Sequence, residues 1–137
     1  MAKKAESRVQ KRIQDRLKHH FKGSCFIFKT HGSIFQMAGL PDLVSCITGI
    51  FIAFEVKDPD RPRSKPSILQ IEIMKRIQDA GGYAGVIETP DQAIEMVILI
   101  QQASISGHRS LVLKQWLADS LIRENGRQSI IRKRRAF

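Results

Sequence analysis

A chain of 137 residues with 42% hydrophobic content is long enough for one domain around a single core. Charge is the outlier: 23 Lys and Arg against 13 Asp and Glu give a formal net charge of +10, which points to a polyanionic partner, either nucleic acid or an acidic surface. No apolar run approaches the length of a membrane span, and the N-terminus reads as a charged helix rather than a signal peptide. The expectation is a cytoplasmic protein of a bacterium or phage-infected cell, not secreted and not membrane-bound.

The first predicted element is a helix from about Lys3 to Lys22. Ala5, Val9, Ile13, Leu17 and Phe21 recur at four-residue steps, and Lys and Arg crowd the other faces. Glu6 projects onto the middle of that apolar stripe. There it either favours the helix dipole in a first turn or aims inward at something positive. Next comes a short apolar strand, Cys25 to Phe28, ending at Lys29, Thr30 and His31. A loop carrying Ser33 and Gln36 then delivers the chain to Gly39-Leu40-Pro41-Asp42. Cys25 and Cys46 lack the spacing of a zinc site and read as buried thiols in a reducing compartment.

Two further strands, Leu43 to Ile47 and Ile50 to Lys57, are joined by a tight Thr48-Gly49 turn, where Gly49 can adopt the positive φ a two-residue hairpin demands. That turn sets the register: Ile47 faces Ile50, Cys46 faces Phe51, Val44 faces Ala53, and Asp42 lands opposite Glu55. Directly opposed like charges repel. Lys57, two residues beyond Glu55, projects from the same face. A divalent cation between the carboxylates supplies a reason for the arrangement.

Asp58 to Pro66 is an exposed basic loop, since its three prolines forbid helix and sheet interior alike. Arg61, Arg63 and Lys65 on it overhang the suspected site. A second helix opens at Ser67, which with Gln70 fits the reciprocal N-cap pattern, and Leu69, Ile73, Met74 and Ile77 form its buried face. It stops at Gly81-Gly82. Tyr83 to Ile87 reads as a strand, and Thr89-Pro90-Asp91-Gln92 starts a third helix running to about Ala103. The order αβββαβα implies an α/β fold: a small mixed sheet, part hairpin and part crossover, flanked by helices.

From Gly107 the character changes. Leu113, Trp116, Leu117 and Leu121 mark one more amphipathic helix, from Ser110 to about Glu124, followed by a polar tail ending Arg132-Lys133-Arg134-Arg135. Residues 1–106 are thus the expected core domain and 107–137 an appended helix and basic tail. The helix covers its own domain or pairs with a second copy of the chain.

Phosphodiester hydrolysis needs a nucleophilic water and stabilised charge on the phosphate. Mg²⁺ or Mn²⁺ held by one or two carboxylates can provide both. In that reading Asp42 and Glu55 hold the metal, the Val56 carbonyl completes the ligand set, and Glu6 is a third carboxylate acting directly or through water. Lys57 orients the attacking water or stabilises the phosphate. Pro41-Asp42 followed by Glu55-x-Lys57 resembles the signature of the PD-(D/E)xK nuclease superfamily. Gly39-x-Pro41-Asp42-Leu43, the Glu55-Val56-Lys57 strand, the helix-borne Gln70 and the Gly81-Gly82 turn into Tyr83-Ala84-Gly85-Val86-Ile87 are similar to its virus-type replication-repair nuclease (VRR-NUC) domain. The resemblance covers roughly Glu6 to Ile100.

The resemblance implies a restriction-endonuclease-like core in the order αβββαβα and a metal-dependent DNA endonuclease with Asp42, Glu55 and Lys57 as signature residues. Glu6 and Gln70 match the family's first-helix acid and second-helix glutamine. Small stand-alone members resemble Holliday-junction resolvases and act on branched DNA as homodimers. Lys29, His31, Ser33, Arg61, Arg63, Lys65, Arg132, Lys133, Arg134 and Arg135 are the candidate phosphate contacts, which position DNA without reading its sequence. Two rival readings share the fold: a non-catalytic nucleic-acid-binding protein, and a restriction-type, sequence-specific endonuclease, against which stands the lack of a separate recognition domain. The one Tyr and one Trp are isolated, so no aromatic platform for single strands is expected.

Overall fold

The computed structural model describes residues 2–32, 36–58, 60 and 66–106. The elements are α1 (Ala2–His20), β1 (Cys25–Lys29), β2 (Leu43–Ile47), β3 (Ile50–Val56), α2 (Ile68–Asp79), β4 (Tyr83–Ile87) and α3 (Pro90–Ser106). Among the described residues the strands form one mixed sheet in the order β1-β2-β3-β4. β1–β2 and β2–β3 are antiparallel, and β3–β4 is parallel. The parallel join requires a crossover, and α2 is that crossover. The α/β class and the αβββαβα order are as the sequence predicts. The third helix runs three residues further than predicted, and the segment 107–137, including the expected helix and Arg132–Arg135, lies outside the described residues.

The hairpin register is the predicted one: Ile47 pairs with Ile50, Cys46 with Phe51 and Val44 with Ala53. Both turn residues lie in the left-handed region, Thr48 at φ 51° and Gly49 at φ 80°, as a two-residue hairpin matching strand twist requires. For Thr48 that conformation is unusual, and several hydrogen bonds hold it. Its N–H donates to Ser24 O at 2.7 Å, and its hydroxyl accepts from Gln101 Nε2 at 2.9 Å.

Alternation along the strands divides the sheet into two unlike faces. One packs α1 and α3 onto the strands: Ile13 and Leu17 of α1 and Met96, Val97 and Ile100 of α3 bury Ile27, Leu43, Ile47, Ile52, Phe54, Val56, Tyr83 and Ile87. Ala5 is exposed, so the α1 stripe engages from Val9 onward. The Arg16–Asp91 ion pair at 2.7 Å clips the two helices together at their surface. On the other face α2 covers only β3 and β4, through Met74, Ile71 and Ile77 against Ala53, Ala84, Val86 and, at the margin, Val44.

The rest of that second face is open among the described residues. Phe26 is 69% exposed, Phe28 46% and Phe51 45%. Cys46 is exposed and Cys25 only half-buried, which corrects the expectation of two buried thiols. The reason is pairing: Cys46 stands between Phe26 and Phe51 in one cross-strand row on the side α2 does not reach. This row and Phe28 set three phenyl rings on one exposed patch.

Candidate active site

The last rungs of the hairpin place the site. The β2–β3 ladder ends with Leu43 opposite Phe54, which puts Asp42 and Glu55 next in register on the α2 face. The Asp42 carboxylate turns across the strand, and its Oδ2 accepts the Val56 N–H at 2.8 Å. Glu55 is 2% exposed, between Ala53 and Lys57 on the same face. Lys57 Nζ lies 3.1 Å from Glu55 Oε1. Its N–H donates to Ile87 O, so the lysine is held just past the ladder by β4.

α2 contributes through its first turn. Ser67 is the N-cap: its hydroxyl accepts from Gln70 N at 3.2 Å, and Gln70 Oε1 accepts from Ser67 N at 2.8 Å, closing the reciprocal box. The same Gln70 amide donates through Nε2 to Glu55 Oε1 at 2.8 Å. One side chain therefore starts the helix and orients the carboxylate. The capping and site readings of Gln70 are not alternatives.

Oε1 of Glu55 thus has two donors, whereas Oε2 is buried and has no hydrogen-bond partner. Burial, followed by the Asp42 charge, pushes the Glu55 carboxyl up to about 7, with Lys57 pulling the other way. Asp42 is also raised, by burial first, against the Val56 N–H; Glu6 raises it further, and Lys57 and Lys29 lower it. Glu6, half-buried on α1, and Lys29 at the end of β1 therefore both lie within electrostatic reach of Asp42. Two carboxyls that each resist ionisation, one with an orphaned buried oxygen, form a donor set suited to a hard cation, which takes carboxylate oxygens and keeps water ligands. Among the described residues no three His, Cys, Asp or Glu side chains gather closely enough to enclose a metal by themselves.

Two features escaped the sequence reading. Thr30 pins the start of β2: its N–H donates to Asp42 O at 2.9 Å and its hydroxyl to Pro41 O at 2.8 Å. Extending the β1–β2 register by one pair past Lys29–Leu43 would have found it. Gly39, at φ +82°, brings the loop against α2, where a Cβ would stand 2.7 Å from Leu69 Cγ and 3.1 Å from Leu69 O. Only glycine permits both the conformation and the approach. The loop borders an open cleft of about 580 Å³ lined by Thr30, Gln36, Met37, Leu40 and Asp42.

Of the residues read from sequence, Asp42, Glu55, Val56, Lys57 and Gln70 are joined by the bonds above, with Glu6 and Lys29 near by. The backbone N–H of Val56 is what meets Asp42. His31 is exposed in the loop after β1. Ser33, Arg61, Arg63, Lys65 and Arg132–Arg135 lie outside the described residues. Among the described residues no helix is long and apolar enough to cross a membrane.

No family model matches the sequence, and no curated protein does. Among solved structures the chain is similar to one described as a VRR_NUC domain, at 26% identity and a TM-score of 0.49, over 67% of this chain and 92% of that one.

Proposed function

We propose that the chain is a Mg²⁺- or Mn²⁺-dependent DNA endonuclease of the VRR-NUC type, acting on branched DNA such as Holliday junctions as a homodimer. The observation that carries the reading is Glu55: a carboxylate 2% exposed, with one oxygen held by Gln70 and Lys57 and the other buried without a hydrogen-bond partner. A fold has no structural use for two opposed, ionisation-resistant carboxyls, and a cation between them removes the repulsion and satisfies the orphan oxygen. The residue pattern Pro41-Asp42…Glu55-Val56-Lys57 supports the same reading.

Asp42 and Glu55 would hold the metal, with Glu6 acting through water. The bound cation would polarise the phosphate and lower the pKa of a coordinated water. Gln70 fixes the rotamer of Glu55. Lys57, 15% exposed in its side chain, presents an ammonium to a phosphate oxygen, where charge develops, or orients the attacking water. The cleft beside Asp42 gives the strand room. The net charge of +10 supplies the sequence-independent attraction to DNA. One site cuts one strand, so symmetric cleavage of a junction requires two copies.

The test is cleavage of labelled four-way junction, flap and linear duplex DNA with Mg²⁺, Mn²⁺ or EDTA, by wild type and Lys57→Ala. Metal-dependent cutting of the junction that Lys57→Ala abolishes is the expected result. Tight binding without cutting in either metal overturns the nuclease reading. A mass on junction DNA corresponding to one chain overturns the dimer.

A further inference from the structure

We infer that the open half of the α2 face is the seat of the chain's own C-terminal helix, residues Ser110 to Glu124, packed in cis through Leu113, Trp116, Leu117 and Leu121. The patch is built from β1 to β3: Phe26, Cys46 and Phe51 in one row, with Phe28 and Val44 in the next. Strands lie about 4.8 Å apart and a helix with its side chains is about 10 Å across, so one helix covers two strands. The opposite face obeys that ratio, with α1 and α3 on four strands. Here α2 covers β3 and β4, leaving room for one helix over β1 and β2.

The chain can reach it. Gln101 of α3 hydrogen-bonds to Thr48 at the hairpin turn, so α3 ends beside the Phe26–Cys46–Phe51 end of the patch. The seven residues from Ser106 to Leu113 span up to about 23 Å, enough to round the edge of a sheet whose packed layers lie about 10 Å away. Ile105, 88% exposed, is the last apolar residue of α3 and starts that path. A 15-residue helix is about 22 Å long, which carries it past the five residues of β1 to the Asp42–Glu55 end. The basic tail Arg132–Arg135 begins eight residues beyond Glu124. That tail's contact with phosphate rests on the nuclease reading, but the packing does not.

The composition of the patch selects an apolar helix over nucleic acid. Phe26, Phe28, Val44, Cys46, Phe51 and Ala53 include no cation, whereas surfaces that stack bases interleave aromatic rings with basic residues along the backbone track.

The experiment uses the full chain without DNA or metal, so it is independent of activity. In a Cys25→Ala background Cys46 is the sole thiol, and its maleimide labelling reports whether the patch is covered. The expected result is slow labelling that is independent of protein concentration and about tenfold or more faster in Trp116→Ala. Trp116 is the chain's one tryptophan, so a red shift of its emission on Phe26→Ser is the second expected signal, in wild type for Cys25. Labelling at the rate of a free surface thiol with unresponsive emission overturns the inference. Protection that grows with protein concentration overturns it in favour of a second copy, and protection that appears only with added single-stranded oligonucleotide overturns it in favour of base stacking.

Discussion

On the α1–α3 face every strand contributes apolar side chains that are almost wholly buried, and the one buried polar strand residue there, Ser45, donates its hydroxyl to Ile52 O at 2.7 Å. On the α2 face the same four strands carry a half-covered apolar patch at one end and, at the other, one buried carboxyl, Glu55, beside the half-buried Asp42. The first face meets the ordinary demands of folding. The second departs from them at both ends, and each departure marks a surface that something else completes. A face that is complete in itself holds the fold together, and the face that is incomplete carries the candidate site.

Asp42→Asn and Glu55→Gln give the largest effect expected and test that division most directly. Either change lowers DNA cleavage about a thousandfold, roughly 4 kcal/mol of barrier. In urea titrations at pH 8 the metal-free variants are at least as stable as wild type, because the buried like charges are gone. A carboxylate whose removal destabilised the metal-free protein would belong to the fold, and the contrast between the faces would fail.

Truncation should sort the faces next. Phe54→Ala removes a fully buried ring from the complete face and costs about 3–5 kcal/mol. Phe26→Ala removes a ring that the described residues leave 69% exposed, so even with the C-terminal helix seated on it the loss is about half of that or less. Equal losses in urea unfolding would erase the difference.

Proton linkage gives a third test, with a definite sign. The folded Glu55 carboxyl is raised from 4.5 to about 7, so between those values the native state binds more protons than the unfolded one. Stability of the metal-free protein therefore falls as pH rises through that window, by roughly 3 kcal/mol at most. The raised Asp42 adds in the same direction. Saturating Mg²⁺ at pH 8 restores the loss, measured as the thermal midpoint with and without metal. A midpoint flat from pH 5 to 8 would deny the carboxyls their unfavourable burial.

The smallest effect expected separates the two jobs of Gln70. Gln70→Ala removes the cap and the Glu55 contact together, costing about 1 kcal/mol of stability along with activity. Gln70→Glu keeps the reciprocal cap but sets a negative charge against Glu55 Oε1, so the helix start is retained while the pH–rate profile moves to higher pH. If both variants lose stability and activity in proportion, Gln70 is a cap alone.

Asp42, Glu55 and Lys57 were legible because a two-residue turn leaves one register, and a register converts sequence spacing into opposition across strands. The capping box of Gln70 was legible for a similar reason, being contained within four residues. The clamp by Thr30, the close approach of Gly39 to Leu69 and the exposure of Cys46 were not. Each depends on which element lies beside another: β1 against β2, the loop against α2, and the strands α2 leaves uncovered.

The sequence by itself determined the element order, the hairpin register and the convergence of two carboxylates with a lysine, because local hydrogen bonding and side-chain alternation have short, fixed periods. Only the tertiary structure decided that the Gln70 amide reaches Glu55 across fifteen positions, that Glu6 of α1 acts on Asp42, and that half of one sheet face stands open among the described residues. Those outcomes follow from how layers pack over a sheet, where a helix one strand to either side changes which side chains meet.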